Sequence, residues 1–178
     1  MHTSHAQHHD DETISLPHYF FIYAVLFLFW LLLVGNLRLQ EMAAGALVAL
    51  AVTLAAGPHL SIFSGLRLEA AAPFHLLRYF GYFWAALIRA NLDVARRVLS
   101  PSLPIRPALV EVRTELKSNL GRLMLANSIT LTPGTLSVDL RGDHILVHWI
   151  DCPPGTDLEA ATREIAAGFE QHLRGFLK

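Results

Sequence analysis

Sixteen consecutive apolar residues, Tyr19 to Val34, constrain this chain more than any other feature. The uncharged Gly35, Asn36 and Leu37 follow them. At about 1.5 Å per residue, a helix over residues 18–37 crosses a hydrocarbon core of about 30 Å. A transmembrane helix is therefore expected here. A secretory signal would open on basic residues and close on a small-residue cleavage site. The flank here is acidic instead, and the stretch closes on Val34-Gly35-Asn36-Leu37-Arg38.

Composition agrees with a membrane chain. Of 178 residues, 53% are hydrophobic and 16% charged, against about 25% charged in an ordinary soluble domain. Long disorder is excluded on the same ground. Fourteen basic and fifteen acidic residues nearly cancel, which leaves no positive surplus to displace the counterions of a nucleic acid. One cysteine, Cys152, rules out an internal disulfide or a cysteine-pair zinc site.

Charge divides the sequence into three parts. Residues 1–17 are a flexible tail holding Asp10, Asp11 and Glu12 with no Lys or Arg. Residues 18–99 hold six Arg and three acids, and read as membrane helices at about 18–37, 41–63 and 74–98. Residues 100–178 hold eight basic and nine acidic residues and read as a small α+β domain.

The second apolar stretch is rich in Ala, with Gly45, Ala49 and Thr53 spaced four apart. Small residues at that spacing let two helices approach closely inside lipid. The third, Phe74 to Leu99, follows Pro73 and gathers His75, Arg78, Tyr82, Arg89, Asp93 and Arg96 into one narrow stripe on a helical wheel. Two readings fit: a span with its polar stripe against protein, or an amphipathic helix lying in the membrane interface. Arg89 lies close enough to the end of such a helix to snorkel, and Asp93 stands four residues on as an ion-pair partner. Three spans are the preferred expectation. The positive-inside rule then puts Arg38 and the C-terminal domain in the cytoplasm and the N-terminus outside.

Beyond Pro101, Pro104 and Pro107, Ala108 to Arg113 alternates as a strand and Leu120 to Ala126 reads as a short helix. Thr135 to Arg141 and His144 to Ile150 form a hairpin about Gly142-Asp143. Opposing Leu140 to Ile145, Val138 to Val147 and Leu136 to Trp149 gives three apolar pairs on one face. Thr156 with Glu159 resembles a capping box opening a last helix, whose inward stripe is Ala161, Ile165, Phe169, His172 and Phe176. The order is β-α-β-β-α, in a core small enough to need support from the third helix or a partner.

Chemical motifs are few. His2, His5, His8 and His9 beside the tail acids offer metal donors that nothing in the sequence orders. Arg141-Gly142-Asp143 spells an adhesion tripeptide but sits where a hairpin turn explains it. On a strand, His144 and His148 stand roughly 13 Å apart, too far to share a metal. Ser128 and Ser137 lack a nucleophile elbow, and no phosphate loop or dinucleotide fingerprint occurs. No catalytic residue, metal or cofactor is therefore assigned. The first two apolar stretches carry no carboxylate in their interiors, so a proton path through them is not expected.

The segment Val110 to Leu140, and above all Leu125-Ala126-Asn127-Ser128-Ile129-Thr130-Leu131-Thr132-Pro133-Gly134-Thr135, resembles the E-type component of the multisubunit cation/proton antiporters called Mrp or Mnh. The resemblance covers the chain beyond about residue 13. It implies an accessory membrane subunit of a bacterial plasma-membrane complex that exchanges cytoplasmic Na⁺ or K⁺ for H⁺. Its partners would be sister subunits and the bilayer, with no soluble small-molecule substrate. Arg78, Arg89, Asp93 and Arg96, with Asn127, Ser128, Thr130, Thr132, Pro133, Gly134 and Thr135, are the candidate structural and subunit-contact residues. The equivalent subunit of a hydrogenase-type complex and a stand-alone membrane-anchored binding domain are the alternatives.

Overall fold

The computed structural model describes residues 15–178. The tail histidines and acids, and with them the tail's metal donors, lie outside the described residues. Two compact units divide at Ser64, the first Met1–Ser64 and the second Gly65–Lys178.

In the first unit, α1 (Leu16–Val34) carries a Pro in its opening turn and ends at Gly35. Gly35 takes a left-handed φ of 68°, and its N–H donates to the Leu31 carbonyl at 3.0 Å. Helix α2 (Leu39–Ala56) returns antiparallel and buries Gly45, Ala49 and Thr53. A side chain at Gly45 would collide with the Trp30 indole, whose Nε1 donates to the Glu41 carbonyl at 3.1 Å. Thr53 donates its hydroxyl to the Ala49 carbonyl at 2.7 Å, so the buried polar group is satisfied. Helix α1 buries no residue and shows apolar side chains all round. The regular helix of α2 ends near Pro58, which lacks a backbone donor, and the chain continues as a 3₁₀ segment, Gly57–Gly65.

The second unit begins with α3 (Ala72–Leu99), followed by β1 (Ala108–Arg113), α4 (Asn119–Leu131), β2 (Thr135–Arg141) and β3 (His144–Trp149). The chain ends with α5 (Leu158–Ala161), a π turn (Thr162–Ala166) and α6 (Ala167–Leu173). The sheet is antiparallel with strand order β1-β3-β2. One face packs on the helices around Val112, Leu125, Ile129, Ile145, Val147, Leu173 and Leu177, all without solvent exposure.

Three local expectations change. Leu140 does oppose Ile145, but Val147 faces Ser137 and Trp149 faces Thr135, because Val138 is an extra, bulged residue. Ser137 and Thr135 tolerate the inner face because their hydroxyls donate to α4 carbonyls, of Ala126 at 2.9 Å and Ile129 at 2.6 Å. Leu136 and Val138 are left half exposed. The last helix is capped by Asp157, whose Oδ1 accepts from the Ala160 N–H at 2.8 Å; Thr156 instead bonds the Pro153 carbonyl. Helix α4 runs on to Leu131, so Asn127, Ser128 and Thr130 are helical.

Candidate functional site: the α3 helix and the α4–β2 junction

Ala72, His75, Tyr79, Tyr82, Phe83, Ala86, Ala90, Val94 and Arg97, spaced mostly three or four apart with Tyr82 and Phe83 adjacent, form the covered side of α3. They lie against the sheet domain of the same unit. His75 abuts Gly175, where a Cβ would come within 2.6 Å of its ring, and Tyr82 occupies the space a side chain at Gly168 would need. Glycine at those two positions lets α3 close onto α6 and the turn that follows it. Tyr82 then stacks on His172 with ring centres 4.6 Å apart and meets Phe169 edge-on at 5.2 Å. Tyr79 meets Phe176 edge-on at 5.8 Å.

Tyr79 also joins α3 to the junction motif. Its hydroxyl lies 2.8 Å from Ser128 Oγ in a buried contact. Ser128 spends its own proton on the Met124 carbonyl at 2.6 Å, so Tyr79 is the donor. The rest of the motif closes the end of α4. Thr132 donates to the Ser128 carbonyl at 2.8 Å, and Thr130 Oγ1 accepts from the Ser137 N–H at 3.1 Å. Thr135 bonds the Ile129 and Thr132 carbonyls. Pro133 and Gly134 make the turn, Gly134 at φ 95°, and the Gly134 carbonyl accepts from the Ile150 N–H at 2.8 Å. These polar residues thus supply the carbonyl partners that a helix end lacks. Asn127 is exposed on α4.

At the far end of α3, Arg97 donates to Asp93 at 2.7 Å, to Asp151 at 2.5 Å and to the Pro104 carbonyl at 2.9 Å. Arg106 holds the other oxygen of Asp151 at 2.8 Å. These guanidinium groups, Arg106 first and Arg97 second, hold the Asp151 carboxyl below the ordinary carboxylate range. Asp93 is thus engaged by Arg97 rather than by Arg89. Arg78, Arg89 and Arg96 are exposed on one edge of α3 and make no salt bridge among the described residues.

Elsewhere the domain surface mixes polar groups with exposed apolar side chains such as Leu109, Leu131, Leu136 and Val138. An open groove lined by Arg113, Glu115, Thr162, Glu170, Gln171 and Arg174 is crossed by Arg174, which pairs with both Glu170 and Glu115. His144 opposes Arg113 and Arg141 in the sheet, and His148 opposes Leu109 and Leu136. Among the described residues no group of three or more His, Cys, Asp or Glu side chains gathers to hold a metal.

Sequence reasoning singled out the polar stripe of α3 and the junction residues, which fall on two different elements. Tyr79 and Ser128 bring the two together, and Tyr79, Arg97 and Asp151 were not foreseen. A usable signal was present, since Tyr79, Ala86, Ala90 and Arg97 cluster within about 40° on the helical wheel, roughly a quarter turn from the arginine stripe.

Comparison with known proteins agrees with this architecture. Residues 23–175 match a family described as a Na⁺/H⁺ ion antiporter subunit, MnhE. The chain is 41% identical over 100 residues to the E-type Na⁺/H⁺ antiporter component of Alkalihalophilus pseudofirmus, covering 55% of this chain and 61% of that protein. It is 32% identical over 132 residues to the E1-type component of the Na⁺/H⁺ antiporter of Staphylococcus saprophyticus, covering 71% and 78%. A chain in the structure of the membrane-bound sulfane sulfur reductase, an archaeal respiratory membrane complex, superposes with a TM-score of 0.76 at 40% identity. That superposition covers 89% of this chain and 98% of the other. The protein is a member of the MnhE family of Na⁺/H⁺ antiporter subunits.

Proposed function

We propose that this chain is a non-catalytic accessory subunit of a multisubunit monovalent cation/proton antiporter in a bacterial plasma membrane. It supports assembly and stability of the complex that exchanges cytoplasmic Na⁺, or K⁺, for H⁺. The observation that carries the reading is an alignment at 32% identity that covers 78% of the staphylococcal E1-type component. The helices agree with an accessory role: α1 carries no charged residue, and α2 has only Glu41, in its first turn. Carboxylates for an ion path are thus expected in sister subunits.

In this proposal the chain crosses the bilayer twice, through α1 and α2, the two helices long and apolar enough to do so. The sequence pattern by itself favours a third crossing, by α3. Against it stands the contact of α3 with the domain from His75 to Arg97, about 33 Å along the axis at about 1.5 Å per residue. A crossing would carry the sheet, the open groove and their polar backbone into hydrocarbon, where unpaired groups are costly. Two crossings put the N-terminus and the domain on one side. One basic residue, Arg38, lies in the loop between the spans, while Arg67, Arg78, Arg89, Arg96 and Arg97 follow α2. The positive-inside rule makes the latter side cytoplasmic.

A second reading draws on the sulfane sulfur reductase superposition: the same subunit serving a redox-driven membrane complex. Everted vesicles from a host expressing the natural operon separate the possibilities. With Arg89→Leu, the cation-dependent pH gradient should fall in proportion to the assembled complex, with unchanged apparent cation affinity. A shifted affinity in an intact complex would contradict the accessory role, and co-purifying metal-cluster subunits would favour the second reading.

A further inference from the structure

Helix α3 has two apolar sides with different fates. Opposite the covered side, Leu77, Phe80, Trp84, Ile88 and Leu92 are exposed, Leu77 by 70% and Trp84 by 59%. On the helical wheel this row centres roughly half a turn from Tyr79. Arg78, Arg89 and Arg96 line one border between the two sides, exposed and without an acidic partner among the described residues. Asp93, the acid nearest that border, is taken by Arg97. An apolar face with an indole on it, edged by free guanidinium groups, matches a leaflet surface, with acyl chains below and phosphates beside them.

We propose that α3 lies in the plane of the cytoplasmic leaflet of an anionic bilayer. Its row from Leu77 to Leu92 enters the headgroup/acyl boundary, Arg78, Arg89 and Arg96 hold lipid phosphates, and the sheet domain rides on the covered side. This rests on the membrane-subunit reading and adds the ligand class, anionic phospholipid headgroups. The chain itself argues for lipid over a protein partner: only the 3₁₀ segment and a short loop separate α3 from α2, the second of two helices long and apolar enough to cross a bilayer, so in the two-crossing reading the leaflet is within reach before any sister subunit docks. Arginine suits phosphate because its planar fork donates two parallel hydrogen bonds.

The test uses the full chain with Cys152→Ser, carrying a spin label at Leu77→Cys, Trp84→Cys or Ile88→Cys. It is reconstituted alone into vesicles of phosphatidylcholine with or without phosphatidylglycerol. The three labels should report one shallow depth, about 5–10 Å below the headgroups. Depths that change steadily along the helix, by about 16 Å from 77 to 88, would mean a span and overturn the proposal. Labels open to an aqueous relaxant in every vesicle would give the face to a protein partner and overturn it equally. Phosphatidylglycerol should lower the aqueous accessibility of all three labels, and Arg78→Gln, Arg89→Gln and Arg96→Gln together should abolish that response. An unchanged response would overturn the arginine assignment, with circular dichroism confirming that the triple variant is folded. No sister subunit is present, so failure here leaves the antiporter reading standing, and absence of partners in purification would leave this result standing.

Discussion

Helices α1 and α3 are both long and mostly apolar, yet they treat their surroundings in opposite ways. Helix α1 buries no residue and carries no charge. Helix α3 covers a residue at nearly every turn against its own domain and keeps an apolar row with a border of arginines outside. Apolar content alone therefore does not mark a candidate crossing: α1 is apolar all round and packs one side on α2, whereas α3 sets one side against its own domain. Helix α2 stands between them, largely exposed and apolar except for a buried stripe of Gly45, Ala49 and Thr53 that receives α1.

The largest effects sharpen that contrast. Leu125, fully enclosed between α4 and the sheet, should cost about 2–5 kcal/mol on Leu125→Ala, read by thermal unfolding of the full chain in detergent. Leu32→Ala on the outer surface of α1, 73% exposed, should change the same transition by little. Gly45→Leu drives a side chain into Trp30 and should weaken the hairpin by about 1–3 kcal/mol. Loss of a disulfide trapped between α1 and α2 would report it, and Leu47→Ala, on an exposed position, should leave the trap intact. Tyr79→Phe removes the bond to Ser128 while keeping the ring, a loss of about 1 kcal/mol in domain stability.

The smallest expected effect is a pH dependence. Asp151 titrates below its ordinary value of 3.8 because Arg106 and Arg97 bond its carboxylate. The unfolded chain therefore takes up this proton at a higher pH than the folded one. The contribution is fully present well above 3.8, declines as pH falls from there, and is lost below the lowered folded value. Stability measured between pH 6 and about 3 should show this component, and Asp151→Asn should remove it. An unchanged acid limb in the variant would mean that the Arg97 clamp contributes nothing to holding the end of α3.

Much of this was legible in the sequence, for identifiable reasons. The run of sixteen apolar residues, the small-residue stripe of α2 and the hairpin about Gly142 each depend on local pattern, and each is found in the structure. The bulge at Val138 was not legible, because Leu136, Val138 and Leu140 alternate as well with an unbroken register as with a shifted one. What decides it is the chance for Ser137 and Thr135 to bond α4 carbonyls, a tertiary fact. Capping by Asp157 rather than Thr156 is a one-residue choice between two competent side chains. The covered side of α3 was readable on the wheel but was outweighed by its arginines, and what Tyr79 touches lies 49 residues away in sequence. The junction residues were picked out by family resemblance, and the structure supplies their physical work at the end of α4.

A subunit of a larger membrane assembly must carry its sister subunits with it. Affinity purification of the tagged chain in mild detergent, from a host expressing the whole natural operon, tests it most directly, with native sizing and mass spectrometry of what comes with it. The expected result is a large particle containing antiporter-like sister subunits in fixed proportion. A stable small particle holding this chain alone would contradict it.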